Sequence, residues 1–160
     1  MGEIPLKITP DISFFMRDEF SRILVAVDGS DLSKKAMRKA LKLSKASKIP
    51  VAAIHVLDLP FLPDITTAET DIPYQEVSNM LNLESERIFS EVKAQAKRQD
   101  LTIETILAKG HVAQEIVKEA KSTDLLIIGS KGRGIFERVL LGSVAENVIH
   151  HANCPVMVVK

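Results

Sequence analysis

The 160-residue chain has little of what several classes of protein need. It contains one cysteine, Cys154, so no disulfide can form within it, which fits a reducing cytoplasm. It has no tryptophan and one tyrosine, too few aromatic rings for a platform that stacks single-stranded bases. Basic and acidic residues number 21 each, so there is no basic excess for nucleic acid or an anionic membrane surface. The composition therefore predicts neither as a partner.

Long apolar runs are also missing. No stretch reaches the roughly 18 apolar residues that a membrane-spanning helix needs. The first residues lack the basic leader and apolar run of a signal peptide, so we expect a cytoplasmic protein. The cysteine and the four histidines are not spaced as metal ligands, so no structural zinc is expected.

What the chain does have is a regular alternation of short apolar runs and amphipathic segments. The runs at 22–27, 51–57, 101–108, 125–129 and 156–159 are predicted strands, and the segments at 32–46, 74–99, 112–120 and 143–152 are predicted helices. Strands that are apolar throughout are covered on both faces, which indicates an α/β domain with a parallel sheet between two layers of helices. Residues 1–20 form an N-terminal extension with Phe14, Phe15 and Phe20, which we expect to pack on a dimer or to cover a cleft.

Two loops are suited to a ligand, because ligands of open α/β sheets bind beyond the carboxyl ends of the strands. One is the DGSD turn after the first strand, and the other follows the fourth strand from Gly129 to Ser143. Glycines at 129 and 132 allow close backbone approach, and Gly142-Ser143 begins a helix whose N–H groups favour an anion. Lys131 and Arg133 add positive charge. A flexible loop with a helix cap would need the same residue types, so both interpretations stay open here.

The spacing of these glycines is that of neither a Walker loop nor a dinucleotide fingerprint. Gly129-x2-Gly132-x9-Gly142-Ser143 instead resembles the G-x2-G-x9-G-[ST] pattern of the ATP-binding branch of the universal stress protein family. RILVAVDGSDLSKKAMRKAL, VAAIHVLD, LLIIGSKGRG and LLGSVAENVIHHANCPVMVV are similar to that family along residues 21–160.

The resemblance implies a single three-layer, doubly wound domain over residues 21–160. Its five parallel strands would have the order 3-2-1-4-5, a Rossmann-like fold of the adenine-nucleotide alpha-hydrolase type. It also implies a homodimer, formed through the strand at 156–159, whose exposed edge is open to pairing. ATP would be the ligand, with Mg or Mn held by its phosphates.

Carried over by position, the resemblance implies a binding site of twelve residues. Ala26, Val27 and Val51 would line the base pocket, Asp28 and Ile128 would contact the nucleoside, and Gly129 would face the ribose. The phosphates would be held by Ser130, Gly132, Gly142 and Ser143, and then by Val144 and Ala145 at the helix start. Members of this branch often have a hydroxyl at the position of Ala145, which lacks one.

The function implied is that of an ATP-binding regulatory protein in a stress response. ATP would shift the long 58–73 segment or the dimer and so act on an unidentified protein partner. A slow ATPase or phosphotransferase using the same cleft is the first alternative, and a module that binds AMP or another small ligand is the second. We predict no catalytic residue, because no serine, histidine and aspartate form a convincing triad and a binding protein needs no base. Asp28 and His55 are the weak candidates that an ATPase would have, and His55 is expected to be a hydrogen-bonded core residue. The lysines and arginine of the first long helix are expected to form a solvated face.

Overall fold

The computed structural model describes residues 12–58, 74–132 and 141–160, without the side chains of 12–15, 74, 75 and 77. Its elements in chain order are α1 (Ile12–Glu19), β1 (Arg22–Ala26), α2 (Asp31–Ser47), β2 (Val51–Leu57), α3 (Tyr74–Lys97), β3 (Ile103–Lys109), α4 (Val112–Glu119), β4 (Asp124–Gly129), α5 (Ser143–His151) and β5 (Val156–Val159). Predictions that concern Arg133, the side chains of Phe14 and Phe15, and residues 59–73 lie outside this description.

The five strands form one parallel sheet in the order β3-β2-β1-β4-β5, so the predicted fold class and strand order are confirmed. β1 lies at the centre, where Ile23 is opposite both Val51 of β2 and Leu125 of β4. The strand order reverses between β1 and β4, which leaves a crevice at their carboxyl ends. Several predicted bounds are off by a residue or two, since β1 ends before Val27 and β3 begins at Ile103.

Apolar side chains alternate between the two faces of the sheet and form two cores. Val25 and Ile127 point to the side of α2 and α3, where Met37, Leu41 and Ile88 pack against them. The second core lies under α4 and α5 and contains Leu24, Ile54, Leu126, Ile116 and Val148. Helices on both faces bury the central strands, which explains why these strands are apolar apart from Arg22, His55 and Asp124.

The described part of the extension, residues 12–20, packs beside α2 at the end of the sheet away from the crevice. Phe20 contacts the core beneath α2, and Arg17 donates a hydrogen bond from Nε to the Ser47 carbonyl at the end of α2. The start of α2 borders the carboxyl ends of the strands, so Ser47 lies toward their amino ends. Phe20 therefore does not cover the cleft, because its side chain packs on the core of its own chain, and its packing on a dimer stays a prediction.

The amino ends of β1 and β4 are joined by a charged cluster. Arg22 donates from Nη2 to Asp124 Oδ2 at 2.7 Å and from Nη1 to Glu119 Oε1 at 3.1 Å. Hydrogen bonding to Asp124 raises the pKa of Arg22 despite the opposing effect of burial. Cys154 is half-buried rather than buried, and desolvation raises the pKa of its thiol, as expected for an unreactive cysteine. Of the helices described here, none is both long and apolar enough to span a bilayer.

Candidate functional site

A cavity of about 550 Å³ opens at the carboxyl ends of β1 and β4, where the strand order reverses. Its volume lies within the roughly 300–1,000 Å³ of small-molecule sites. The described residues that line it are Ala26, Val27, Asp28, Ser33, Ile54, His55, Val56, Leu57, Asp58, Leu81, Glu84, Val112, Ile116, Ile128, Gly129, Lys131, Gly132, Gly142, Ser143, Val144 and Ala145. The walls thus come from three strand ends and four helices.

The turn after β1 holds Asp28 in a fixed position. Asp28 Oδ1 accepts a hydrogen bond from the Ser30 N–H at 2.9 Å, and Gly29 between them has φ of 81°, which favours glycine. Ser30 then caps α2, because its hydroxyl oxygen accepts from the Ser33 N–H at 3.2 Å. These bonds fix one carboxylate at the mouth of the cavity.

Two glycines, one at the end of β4 and one in the loop that follows, make close contacts that leave little room for a side chain. A Cβ on Gly132 would lie 3.0 Å from Asp28 Oδ2, so this residue brings the loop against the turn after β1. A Cβ on Gly129 would lie 3.1 Å from the Leu32 carbonyl carbon, within the backbone of α2. Gly129 therefore allows β4 to pack closely against the start of α2, in addition to its predicted place beside a ribose.

The start of α5 presents open backbone donors to the cavity. The first helical bond of α5 runs from the Glu146 N–H to the Gly142 carbonyl, so the N–H groups of residues 143–145 precede it. The N-cap residue, Gly142, makes no side-chain cap bond, in contrast to Ser30 at α2. Uncapped N–H groups and the positive end of the helix dipole favour an anion at this position.

The opposite part of the cavity is apolar. Ala26 and Ile128 come from the central strands, Ile54 and Val56 come from β2, and Ile116 comes from α4. The cavity therefore joins an apolar region to a region of backbone donors, an arrangement that suits a ligand with an apolar ring and an anionic tail.

His55 lines the cavity, and one of its two ring nitrogens, Nδ1, makes a hydrogen bond. Its Nδ1–H donates to the Val27 carbonyl at 2.8 Å, because a carbonyl can only accept. Its ring meets Phe89 edge to face, with centroids 6.2 Å apart. The predicted role of a hydrogen-bonded core histidine is confirmed, but the same residue also borders the ligand space.

Ten of the twelve predicted site residues line the cavity, and Val51 and Ser130 do not. Val51 is wrongly placed, because it lies at the amino end of β2 opposite Ile23 and is buried in the core. At roughly 3.3 Å per residue it is about 16 Å from Val56, which occupies the carboxyl end. Ser130 is 2% exposed and lies behind the wall, where its carbonyl accepts from the Gly142 N–H at 2.8 Å. It therefore positions the helix start instead of lining the site.

The sequence interpretation missed the contributions of two helices and of one acidic residue. Leu81 and Glu84 reach the cavity from α3, Val112 and Ile116 reach it from α4, and Asp58 follows β2. The spacing of the helical residues is that of an ordinary amphipathic helix, so only the fold shows that they face the cavity. Within the described ranges, no three histidine, cysteine or carboxylate side chains are grouped as metal ligands.

Comparison with known proteins agrees with this architecture. The model of the universal stress protein family matches residues 19–160. The chain belongs to the universal stress protein family. Universal stress protein MJ0531 of Methanocaldococcus jannaschii is 37% identical over 144 residues, which cover 88% of this chain and 82% of that protein. Universal stress protein YxiE of Bacillus subtilis is 33% identical over 149 residues, which cover 88% and 99%.

Solved structures of universal stress proteins share the fold. That of MJ0577 from Methanocaldococcus jannaschii superposes with a TM-score of 0.76 at 28% identity and covers 89% of this chain and 96% of its own. The Archaeoglobus fulgidus protein in complex with dAMP has a TM-score of 0.63 at 22% identity, covering 89% and 99%. A further universal stress protein in complex with cAMP has a TM-score of 0.62 at 24% identity, covering 89% and 98%. At these last two identities the likeness shows the fold alone.

Proposed function

We propose that this universal stress protein binds an adenine nucleotide, ATP first of all, as a regulatory protein. The observation that carries the proposal is the uncapped start of α5, which faces a cavity whose opposite part is apolar. Its N–H groups suit phosphate oxygens, and the apolar part of the cavity suits a purine ring. The dAMP and cAMP complexes of two family members support an adenine nucleotide as the ligand class.

In this proposal each part of the cavity receives one part of the nucleotide. Ala26, Ile54 and Val56 contact the base, Asp28 and Gly129 border the ribose, and Gly132, Gly142 and Ser143 bind the phosphates. A magnesium or manganese ion would be held mainly by the phosphates, since the described residues offer no cluster of three metal ligands. Bound metal would neutralise part of the phosphate charge beside Asp28.

Slow hydrolysis of ATP is the second candidate, because His55, Asp58 and Glu84 also line the cavity and could position a water molecule. The Nδ1–H of His55 is already donated to Val27, which leaves Nε2 as the free ring nitrogen of the neutral form. A regulatory protein needs none of these groups to take part in chemistry, so the two functions differ in what happens to bound ATP.

Mass spectrometry of the ligand released from the purified protein, followed by timed nucleotide analysis, separates these functions. We expect ATP to be released on denaturation and added ATP to stay intact in the bound state for hours. Steady production of ADP in proportion to protein would instead establish an ATPase, and release of AMP alone would identify an AMP module. A protein that carries no adenine nucleotide and binds none when ATP and magnesium are added would contradict the proposal.

We also propose a cytoplasmic homodimer that forms through β5. β5 is an edge strand. The 155 and 159 carbonyls accept bonds from Leu126 of β4 and from Ser130 just after it, so residues 156 and 158 direct their backbone groups outward. Light scattering should give twice the 17.6 kDa chain mass. Val158→Pro removes an outward N–H without touching a bond to β4, and should give the mass of one chain. A dimer that persists in this variant would place the interface elsewhere.

A further inference from the structure

One helix of the chain carries a concentrated positive charge that the nucleotide site does not use. Seven of the 21 basic residues and one of the 21 acidic residues fall between positions 31 and 48. Six of the seven are exposed on α2 and its C-cap, and we call them the basic face: Lys35, Arg38, Lys39, Lys42, Lys45 and Lys48. Positions 35 to 45 follow the three- and four-residue spacing that aligns side chains along one side of a helix.

Among the residues that the structure describes, the basic face has no acidic partners. Lys34 at its margin pairs with Glu91 Oε2 at 3.3 Å, but within the described ranges none of the six residues makes a salt bridge. The opposite side of α2 packs on the sheet, where Met37 and Leu41 are fully buried. The basic face is therefore not needed to hold α2 in place.

α3 carries charges of both signs on its surface and so offers a comparison with α2. There Arg87 pairs with Glu91 and approaches Glu84, so opposite charges stand three and four residues apart. On α2 the same spacings place like charges together, at Lys35 with Lys39 and at Arg38 with Lys42. Like-charge pairs at this spacing weaken a helix, so α2 carries a surface that its own folding does not favour.

We propose that the basic face binds an acidic segment of a partner protein. The face extends for about 20 Å from Lys35 to Lys48 at 1.5 Å per residue, the length of a short helix or peptide. Outside residues 31–48 the chain has 14 basic and 20 acidic residues, so a long polyanion such as duplex nucleic acid would be repelled beyond the face.

A bilayer is disfavoured by the composition of the exposed side of α2. Apart from Asp31 and the basic face, the only exposed residue of this helix is Ala46. An interfacial helix inserts large apolar side chains beside its cations, and this one has none to insert. A short acidic segment is attracted by the basic face and is too short to be repelled by the net negative charge of the rest of the chain.

Binding of a polyglutamate peptide of about 14 residues, which as a helix matches the length of the face, tests this proposal. The face variant Lys35→Glu, Lys39→Glu, Lys42→Glu should bind it at least about tenfold more weakly in low salt. The control variant Lys93→Glu, Lys97→Glu, Lys121→Glu makes the same change in net charge at exposed lysines elsewhere and should bind almost as the wild type does. Circular dichroism checks that both variants melt as the wild type does.

Three results would overturn the proposal. The wild type would show no binding of the peptide even in low salt, or the control variant would lose as much affinity as the face variant. Alternatively, a DNA duplex of equal charge or phosphatidylserine vesicles would bind the wild type more tightly than the peptide does. The last result would assign the face to nucleic acid or to a membrane instead.

Discussion

Arg22→Met should lower the free energy of unfolding by about 3–5 kcal/mol, the range for removing one partner of a buried ion pair. The side chain of Asp124 is fully buried, and Arg22 contacts it from Nε and Nη2 while Nη2 also donates to the Glu119 carbonyl at 3.0 Å. Methionine fills similar space but leaves the Asp124 carboxylate with the Lys121 N–H, at 2.9 Å, as its remaining partner among these contacts. Urea unfolding followed by circular dichroism measures the loss.

The double variant Arg22→Met, Asp124→Leu is the decisive companion to this experiment. Because it removes both charges, it should recover much of the lost stability, whereas two independent contributions would add. The exposed Lys97→Met is the matched control and should stay within about 0.5 kcal/mol of the wild type. A loss below 1 kcal/mol in Arg22→Met would contradict the prediction that the ion pair with Asp124 holds the amino ends of β1 and β4 together.

The architecture could be predicted because its signals are local. Short apolar runs alternate with amphipathic segments, and a parallel sheet covered on both faces is the arrangement that buries them all. The strand order is not local, and it came from resemblance to a family rather than from periodicity. The sequence interpretation began β4 one residue late, at 125 instead of Asp124. A carboxylate is typical of a loop, and its burial in a strand is explained only by its contact with Arg22, which is distant in sequence.

The parts of the candidate site that the sequence could predict are those where the backbone conformation or packing favours glycine. Gly132 accommodates a close contact with Asp28, and Gly142 begins α5 at the cavity. Val51 was misplaced because all seven residues of β2 are buried, so the sequence of this strand does not show which end faces the ligand. The rule that ligands bind at the carboxyl ends of strands points to Val56 instead.

Side chains from the helices could not be found in the same way. Leu81 and Ile116 occupy ordinary core-facing positions of their helices, and only the packing of α3 and α4 around the crevice turns them toward the cavity. Ser130 shows the converse, since its motif position suggests a phosphate contact while its backbone bonds Val159 and Gly142. Spacing thus identifies the loop, and the fold decides which of its residues reach the ligand space.

Gly142→Val should weaken ATP binding by at least about 100-fold, which corresponds to about 2.7 kcal/mol, while leaving the fold intact. Gly142 lines the cavity as the N-cap of α5, so a branched side chain there would occupy space proposed for the phosphates. Its φ of −81° and ψ of 157° are open to any residue, so valine requires no change of backbone. Isothermal titration calorimetry with ATP and magnesium measures the effect, and thermal melting checks the fold.

The matched control is His111→Val, which places valine at the N-cap of α4. His111 also lacks a side-chain cap bond, is exposed and does not line the cavity, so this variant reproduces the helix-start substitution away from the ligand. We expect it to bind ATP as the wild type does. Adenosine, which has no phosphate, should lose far less affinity for Gly142→Val than ATP does. Equal losses for both ligands would show that valine distorts the whole cavity, and unchanged ATP affinity would place the phosphates away from the start of α5.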